Sequence, residues 1–194
     1  MSAFAVLRSY LEARAQFTDE EFRRVEGSFL HKTLRAGDFL QRAGEVTTHA
    51  AFVTKGCLRN YVIDAKGKEH IVQFAPETWW LADATSLMNG TPSSYFIDAI
   101  EDSEVLLLAA ASHQPLLDEV PGYGAAFRTG VQKHAAAKDQ RIATSLSASA
   151  EERYEEFLRV YPSIAQRVPQ RMLASYLGMT PETVSRIRKN LSRK

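Results

Sequence analysis

The chain has 194 residues, of which 45% are hydrophobic and 24% are charged, and its formal net charge at pH 7 is +1. These values are typical of a soluble globular protein with one large or two small domains. No apolar run approaches the roughly 20 residues that span a bilayer, and the N-terminus is unlike a signal sequence, so we expect a cytoplasmic protein without membrane contact. Cys57 is the only cysteine, which excludes an internal disulfide and a metal site built from several thiolates.

The N-terminal segment carries a helical pattern up to Glu26. Thr18 and Glu21 have the spacing of a capping box, in which the two side chains satisfy each other's backbone N–H groups. Phe22 and Val25 follow as an apolar face. We therefore predict helix on both sides of Thr18.

Between residues 29 and 109 the pattern changes to short hydrophobic runs separated by turn signals. Such spacing predicts many short antiparallel strands, arranged as a sandwich or a rolled barrel. The runs CLRNYVI and HIVQF, on either side of the turn at residues 64–67, predict a hairpin. The aromatic side chains expected in the core are Phe52, Phe74, Trp79, Trp80 and Phe96.

From Pro121 onward the strand signals end, and residues 127–146 predict one long helix without proline. Its apolar stripe is imperfect and could pack on the same barrel or against a second copy of the chain. The stripe consists of Val131, Ala135, Ile142 and Leu146. Ser147 or Ser149 can cap a further helix over residues 150–160.

The last part of the chain contains two short amphipathic helices that meet at Gly178. The first is predicted within VPQRMLASYL, and the second begins at Pro181 after the capping residue Thr180. In the second helix, Val184 and Ile187 fall on one apolar face. This is the pattern of a helix-turn-helix, although ordinary helix pairs also contain glycine turns.

Positive charge is concentrated in this terminal part. Between residues 166 and 194 the acidic side chains are limited to Glu182, whereas the cations are Arg167, Arg171, Arg186, Arg188, Lys189, Arg193 and Lys194. This asymmetry in a chain of near-neutral net charge is typical of a nucleic-acid contact, and a solvated basic tail would give the same count.

The order of a β-roll, a long helix and a helix-turn-helix resembles the Crp/Fnr superfamily of transcription regulators. The matching positions in the roll are Leu34, Gly37, Leu40, Gly44, Glu45, Phe52, Val53, Gly56, Leu58, Tyr61 and Gly67, and PETVSRIRK resembles the recognition helix. The resemblance implies an α+β fold whose N-terminal antiparallel β-roll is a double-stranded β-helix of the cyclic-nucleotide-binding kind. We expect a sensor domain at residues 1–120, a dimerisation helix at 121–148 and a DNA-binding domain at 149–194.

By this likeness, Glu182 and Arg186 take the positions that read base edges. Arginine can bind guanine through two hydrogen bonds, and glutamate can accept one from cytosine. The remaining predicted DNA-binding residues, near phosphates or on the same polar face, are Gln170, Arg171, Thr180, Thr183, Ser185 and Lys189. The spacing of four between Glu182 and Arg186 also permits an ion pair between them.

The sequence departs from the family pattern in two places of this module. Pro181 stands where many members carry a further base-reading arginine, so we expect a different preferred half-site. The chain also ends three residues after Leu191. We therefore expect no β-hairpin wing and fewer phosphate contacts.

The phosphate-binding cassette of the family resembles LADATSLMNGTPSSYFIDA in this chain. Asp83 stands where the family has a glutamate that holds ribose, and Ser93 and Ser94 stand where it has an arginine that faces the cyclic phosphate. Because burying a phosphate without a cation is costly, we expect cyclic AMP not to bind tightly. Asp83, Ser93 and Ser94 remain a candidate pocket for another polar effector, and a plain surface loop is the alternative.

Other chemistries lack their residues. A cupin-like metal site would need paired histidines and a glutamate, but GEVTTHAAFVTKG supplies only His49. Haem ligation has no diagnostic spacing among the candidates His31, His49, His70, His113 and His134. We therefore predict no metal, no cofactor and no enzymatic activity.

We predict that the protein is a homodimeric regulator that binds specific sequences of double-stranded DNA. RNA polymerase is a possible further partner, and the small-molecule effector is unknown. Two alternatives remain at this point. In one, the roll senses a ligand and the terminal helices contact another protein. In the other, the chain is a cupin-like metalloenzyme.

Overall fold

The computed structural model describes residues 1–191, apart from the side chains of residues 133–135, 137 and 138. The helices are α1 (Ala3–Glu12), α2 (Asp19–Gly27), α3 (Ala84–Asn89), α4 (Ala110–Glu119), α5 (Pro121–Ser147), α6 (Ala150–Val160), α7 (Gln170–Leu177) and α8 (Pro181–Leu191). The strands are β1 (Phe29–Leu34), β2 (Phe39–Gln41), β3 (His49–Lys55), β4 (Leu58–Ile63), β5 (Glu69–Ala75), β6 (Trp80–Leu81), β7 (Phe96–Ala99) and β8 (Ser103–Ala109). The predicted α+β class is confirmed.

The strands form two four-stranded antiparallel sheets, in the orders β1-β8-β3-β6 and β2-β7-β4-β5. The hairpin between β4 and β5 is confirmed, with Leu58 opposite Ala75 and Ile63 opposite Glu69. Phe52 and Phe74 are fully buried as expected, whereas Trp79, Trp80 and Phe96 are only partly buried. The result is the predicted antiparallel roll with an aromatic interior.

Two helices at the N-terminus cover one side of the roll. The Thr18 hydroxyl accepts a hydrogen bond from the Glu21 N–H, and the Glu21 carboxylate accepts one from the Thr18 N–H, so the capping box is confirmed. α1 ends well before this cap, and α2 begins after it. Leu7 and Leu11 of α1 pack in one cluster with Phe52 of the roll.

α5 begins six residues before the proline-free stretch 127–146, at the start of the segment 121–148 that was expected to hold the long helix. Pro121 occupies its first turn, where a missing N–H costs nothing. α4, which contains Pro115, was not predicted from the sequence. Ser149, rather than Ser147, caps α6, and it forms a capping box with Glu152.

The C-terminal helices share a hydrophobic core with the roll. Phe74 of β5 contacts Phe157 of α6 and Tyr176 of α7, with ring centroids 6.1 and 5.2 Å apart. α7 ends at Leu177 and is capped by Gly178, whose left-handed backbone (φ 64°) suits glycine. α8 starts at Pro181 as predicted. Because this core is continuous, the orientation of α7 and α8 relative to the roll is fixed by packing.

Cys57 is buried, and it lies in the turn before β4 rather than within the strand that the run CLRNYVI predicted. Burial raises the pKa of its thiol to about 12. A thiol with this pKa is protonated at neutral pH and is a poor nucleophile, which fits a packing role.

Candidate functional site

α8 has one buried and one exposed face. Val184 and Ile187 are buried against α6 and α7, whereas the polar positions on the other face are exposed: Glu182, Ser185, Arg186 and Lys189. The helical repeat of 3.6 residues separates these two sets. The structure therefore presents the predicted base-reading residues together on one accessible surface.

The N-terminus of α8 is fixed by local hydrogen bonds. The Thr180 hydroxyl accepts a hydrogen bond from the Thr183 N–H at 3.3 Å, and Thr183 is half-buried. Hydrogen bonds from its own backbone N–H and from the Thr180 hydroxyl lower the pKa of Glu182. Arg186 forms no ion pair with Glu182 or with any other described side chain, so its guanidinium is available to an external acceptor.

At the start of α7 the two predicted phosphate contacts differ. The Gln170 side-chain amide donates to the Pro181 carbonyl and so ties the beginnings of α7 and α8 together. Arg171 is exposed. Gln170 thus has a structural role within the helix pair, and Arg171 extends the polar face of α8.

Two of the counted cations are engaged within the protein. Arg188 donates to the Tyr154 hydroxyl at 2.9 Å and to the Ala165 carbonyl at 3.0 Å. Arg167 pairs with Glu77, at 2.9 Å, and with Glu101 of the roll. Arg193 and Lys194 lie outside the described residues. The sequence count therefore overstated the positive charge that the described surface offers to a nucleic acid.

α7 is attached to strand β5 by hydrogen bonds between side chains and backbone groups, which the sequence did not suggest. The Ser175 hydroxyl donates to the Glu69 carbonyl at 2.8 Å and accepts from the Ile71 N–H at 3.1 Å. The Arg141 guanidinium of α5 donates to the carbonyls of Ile71 and Tyr176, each at 3.1 Å, and to that of Val72. These contacts hold the helix pair against the roll.

In the cassette, the fold brings Asp83 and Ser93 together as the predicted pocket requires. Their side chains, however, form a hydrogen bond with each other. The Ser93 hydroxyl donates to the Asp83 carboxylate at 2.8 Å. Asp83 also caps α3 by accepting from the N–H groups of Thr85 and Ser86. Both side chains are buried, whereas Ser94 is exposed. The polar groups of the cassette are thus largely satisfied within it.

A cleft of about 420 Å³ lies beside the cassette, between the roll and the helices α5, α6 and α7. Asn60 of β4, Arg141 of α5 and Arg153 of α6 contribute polar groups to it. Sequence reasoning missed these residues because they are far apart along the chain and belong to no recognisable motif.

Among the described residues, no group of three histidine, cysteine or carboxylate side chains is arranged to hold a metal ion. Four of the candidate histidines have polar partners: His31 with Glu104, His49 with Thr48, His70 with Asp64, and His113 with Tyr123. The side chain of His134 lies outside the described set. No described helix is both long and apolar enough to cross a membrane.

Comparison with known proteins gives matches at two levels. Residues 31–119 match the family model of the cyclic nucleotide-binding domain. No curated protein matches the chain. Solved structures match over most of its length.

Three of these structures illustrate the likeness. The c-di-GMP-responsive global regulator CLP of Xanthomonas campestris has 12% identity and a TM-score of 0.70, covering 91% of this chain and 92% of that one. FixK2 from Bradyrhizobium japonicum has 20% identity and a TM-score of 0.68, covering 85% of each chain. The catabolite activator protein of Thermus thermophilus has 19% identity and a TM-score of 0.56, covering 91% of this chain and 84% of that one.

At these identities the likeness establishes the fold. The resemblance inferred from the sequence is therefore confirmed. Residues 31–119 match the cyclic nucleotide-binding domain model, and the chain has the fold of the Crp/Fnr transcription regulators.

Proposed function

We propose that this protein is a sequence-specific DNA-binding transcription regulator. The observation that carries the proposal is the exposed face of α8, where Glu182 and Arg186 lie one helical turn apart without pairing with each other. A helix held by its apolar face and projecting such side chains fits the major groove. Arg171, Thr180, Ser185 and Lys189 lie around this face and are proposed to contact phosphates or the groove edge.

We further propose that it acts as a homodimer through α5. Among the described side chains of this helix, Val131, Ile142 and Leu146 are 49%, 59% and 83% exposed. Exposed apolar side chains spaced along one helix favour a helical partner. Two recognition helices could then engage half-sites about 34 Å apart. In this proposal residues 1–120 form the domain that senses an effector, residues 121–148 form the dimerisation helix, and residues 149–194 bind DNA. The protein acts in the cytoplasm, and RNA polymerase is a further partner.

The test is selection of bound duplexes from a random-sequence library by the purified protein at a stated moderate salt concentration. We expect enrichment of a two-fold symmetric site. Arg186→Ala should relax preference at one position in each half-site, whereas Arg171→Ala should weaken all duplexes equally. Equal weakening of all duplexes by Arg186→Ala would instead favour a protein-contacting role for the terminal helices.

We also propose that cyclic AMP is not a tight ligand of the cassette. The Asp83 carboxylate already accepts hydrogen bonds from Ser93 and from two backbone N–H groups. The cassette itself has no arginine at the position of Ser93. Isothermal titration calorimetry should therefore give no saturable heat at micromolar nucleotide, and a micromolar dissociation constant would refute this part of the proposal.

A further inference from the structure

We infer that the roll itself contacts DNA, through the hairpin between β4 and β5. The side chain of Lys68 is placed to bind a phosphate of the same DNA backbone that Arg171 and Thr180 contact. This role of Lys68 rests on the proposed function, because it takes the helix pair as the DNA-binding element. It goes beyond that function, because it gives part of the DNA-binding surface to residues 1–120, for which only sensing was proposed.

A groove of about 620 Å³ lies between the hairpin and the helix pair. The roll contributes residues 68–71 to its lining, and the helix pair contributes Arg171 from α7 and Thr180 and Pro181 from the start of α8. Arg171 and Thr180 are both among the side chains proposed to lie against the DNA. A DNA backbone that passes these two side chains therefore also passes Lys68.

Hydrogen bonds from Ser175 fix the hairpin relative to α7. The Ser175 hydroxyl donates to the Glu69 carbonyl at 2.8 Å and accepts from the Ile71 N–H at 3.1 Å. Lys68 directly precedes Glu69 in the chain. Arg171 lies one helical turn before Ser175, on the same face of α7. The two cations are thus carried by elements whose relative position is set by the fold.

The turn of the hairpin is also held in one conformation. The Asp64 carboxylate accepts hydrogen bonds from the backbone N–H groups of Lys66 and Lys68, at 2.9 and 3.0 Å. Gly67 supplies the left-handed backbone that the turn needs, with φ 79°. Because the turn is ordered before binding, contact by Lys68 costs little backbone entropy.

The charges around the groove favour an anion. Lys68 and Arg171 are exposed, and neither forms an ion pair with a described side chain. Glu69 is the carboxylate in the lining of the groove, and it is bound by Arg59. The Asp64 carboxylate of the turn is bound by His70, at 2.7 Å. Since these carboxylates are engaged, the two free cations attract the phosphates of a DNA backbone.

The contribution of Lys68 is measured with a fluorescent duplex of mixed sequence and about 30 base pairs, which is long enough for two half-sites. Anisotropy titrations with the full chain are repeated at salt concentrations from about 50 to 200 mM. Each lost phosphate contact lowers the slope of log affinity against log salt by about 0.9. Lys68→Gln should therefore lower this slope by about 0.9 per bound protomer and weaken binding about tenfold per protomer at the lowest salt.

The matched control removes an equal charge elsewhere on the roll. Lys32 is exposed and belongs to β1, in the sheet that does not contain the hairpin. Lys32→Gln should change neither the affinity nor the salt slope. The midpoint of urea unfolding should be the same in both variants, because both side chains are exposed. An unchanged slope in Lys68→Gln, or equal losses in the two variants, overturns the inference.

Proximity to DNA has a second readout. Cys57 is the only cysteine and is buried, so a thiol introduced on the surface can be labelled selectively. An iron–EDTA group attached to Lys68→Cys should cleave the bound duplex, whereas the same group attached to Lys32→Cys should not. Equal cleavage by the two conjugates would show that the hairpin does not face DNA.

Selection from the random-sequence library separates this inference from the proposed function. Salt-sensitive binding that depends on Lys68, by a protein that enriches no sequence, supports the hairpin contact and refutes the sequence-specific regulator. Enrichment of a symmetric site by a protein whose salt slope is unaffected by Lys68→Gln refutes the hairpin contact and leaves the regulator intact. Absence of any DNA binding at the lowest salt refutes both.

Discussion

The two faces of the C-terminal helices use similar residues in opposite ways. On the inner face, toward the roll, Arg167 of the segment between α6 and α7 pairs with two carboxylates of the roll, and Ser175 of α7 bonds to the backbone of β5. On the outer face, Arg186 and Ser185 are exposed. The difference shows that residue type and local charge do not define a nucleic-acid contact, because attachment to the roll removes part of the charge from the surface.

The largest expected effect is on the free energy of unfolding, and it comes from the hydrophobic core that these helices share with the roll. Phe157 is buried beside Phe74, Tyr161 and Tyr176. Phe157→Ala should lower the free energy of unfolding by about 3 to 5 kcal/mol, because it leaves a cavity in the shared core. Urea denaturation measures this, with the exposed Met88→Ala as the control at less than about 0.5 kcal/mol. Equal effects of the two variants would show that the inner face is not packed as described.

The outer face should affect binding and not stability. Arg186→Ala should cost about 1 to 3 kcal/mol of discrimination at one base pair, because a bidentate guanine contact is lost. Titrations against duplexes altered at single positions measure this loss. The midpoint of urea unfolding should be unchanged. A shifted midpoint would mean that Arg186 takes part in the packing of the inner face.

The ion cluster of Arg167 should have an intermediate and pH-dependent effect. Arg167→Met should lower the free energy of unfolding by about 1 to 2 kcal/mol, since the side chains of Arg167, Glu77 and Glu101 are about one-third exposed and solvent weakens their attraction. Arg159→Met, which removes a more exposed pair, should cost no more than about 0.5 kcal/mol.

The sign of the pH dependence follows from Glu77. Burial raises its pKa and hydrogen bonding by Arg167 lowers it, and the outcome lies below the ordinary value of 4.5. A lowered pKa in the folded state stabilises above the unfolded value, and this contribution disappears as pH falls through the folded pKa. The difference between wild type and Arg167→Met should therefore be full at neutral pH and decrease below about 4.5. A difference that grows on acidification would contradict the ion cluster.

The smallest expected effect on the free energy of unfolding is that of a single serine hydroxyl, tested by comparing two serine variants. Ser175→Ala should lower the free energy of unfolding by about 1 kcal/mol, because the Ile71 N–H loses its hydrogen-bond acceptor. Ser185→Ala, on the outer face, should change it by less than about 0.5 kcal/mol. Hydrogen exchange of the Ile71 amide provides a local readout, and unchanged protection in Ser175→Ala would exclude this attachment.

Much of the fold and part of the candidate site could be predicted from the sequence, because their signals are local. Thr18 and Glu21 specify a capping box within four residues, and Gly178 and Pro181 set the end of α7 and the start of α8. Two short hydrophobic runs on either side of the turn at residues 64–67 defined the hairpin of β4 and β5. The exposed face of α8 follows from the positions of Val184 and Ile187 alone.

The tertiary structure decided which polar residues are available and which are engaged. Arg167 meets Glu77 and Glu101 across 90 and 66 positions of the chain, and no local pattern encodes such pairs. The same holds for Asn60, Arg141 and Arg153, which share a cleft only after the long helix packs on the roll. Propensity and periodicity act within one or two turns of the chain, whereas ion pairs and clefts depend on distances that only the packed fold establishes.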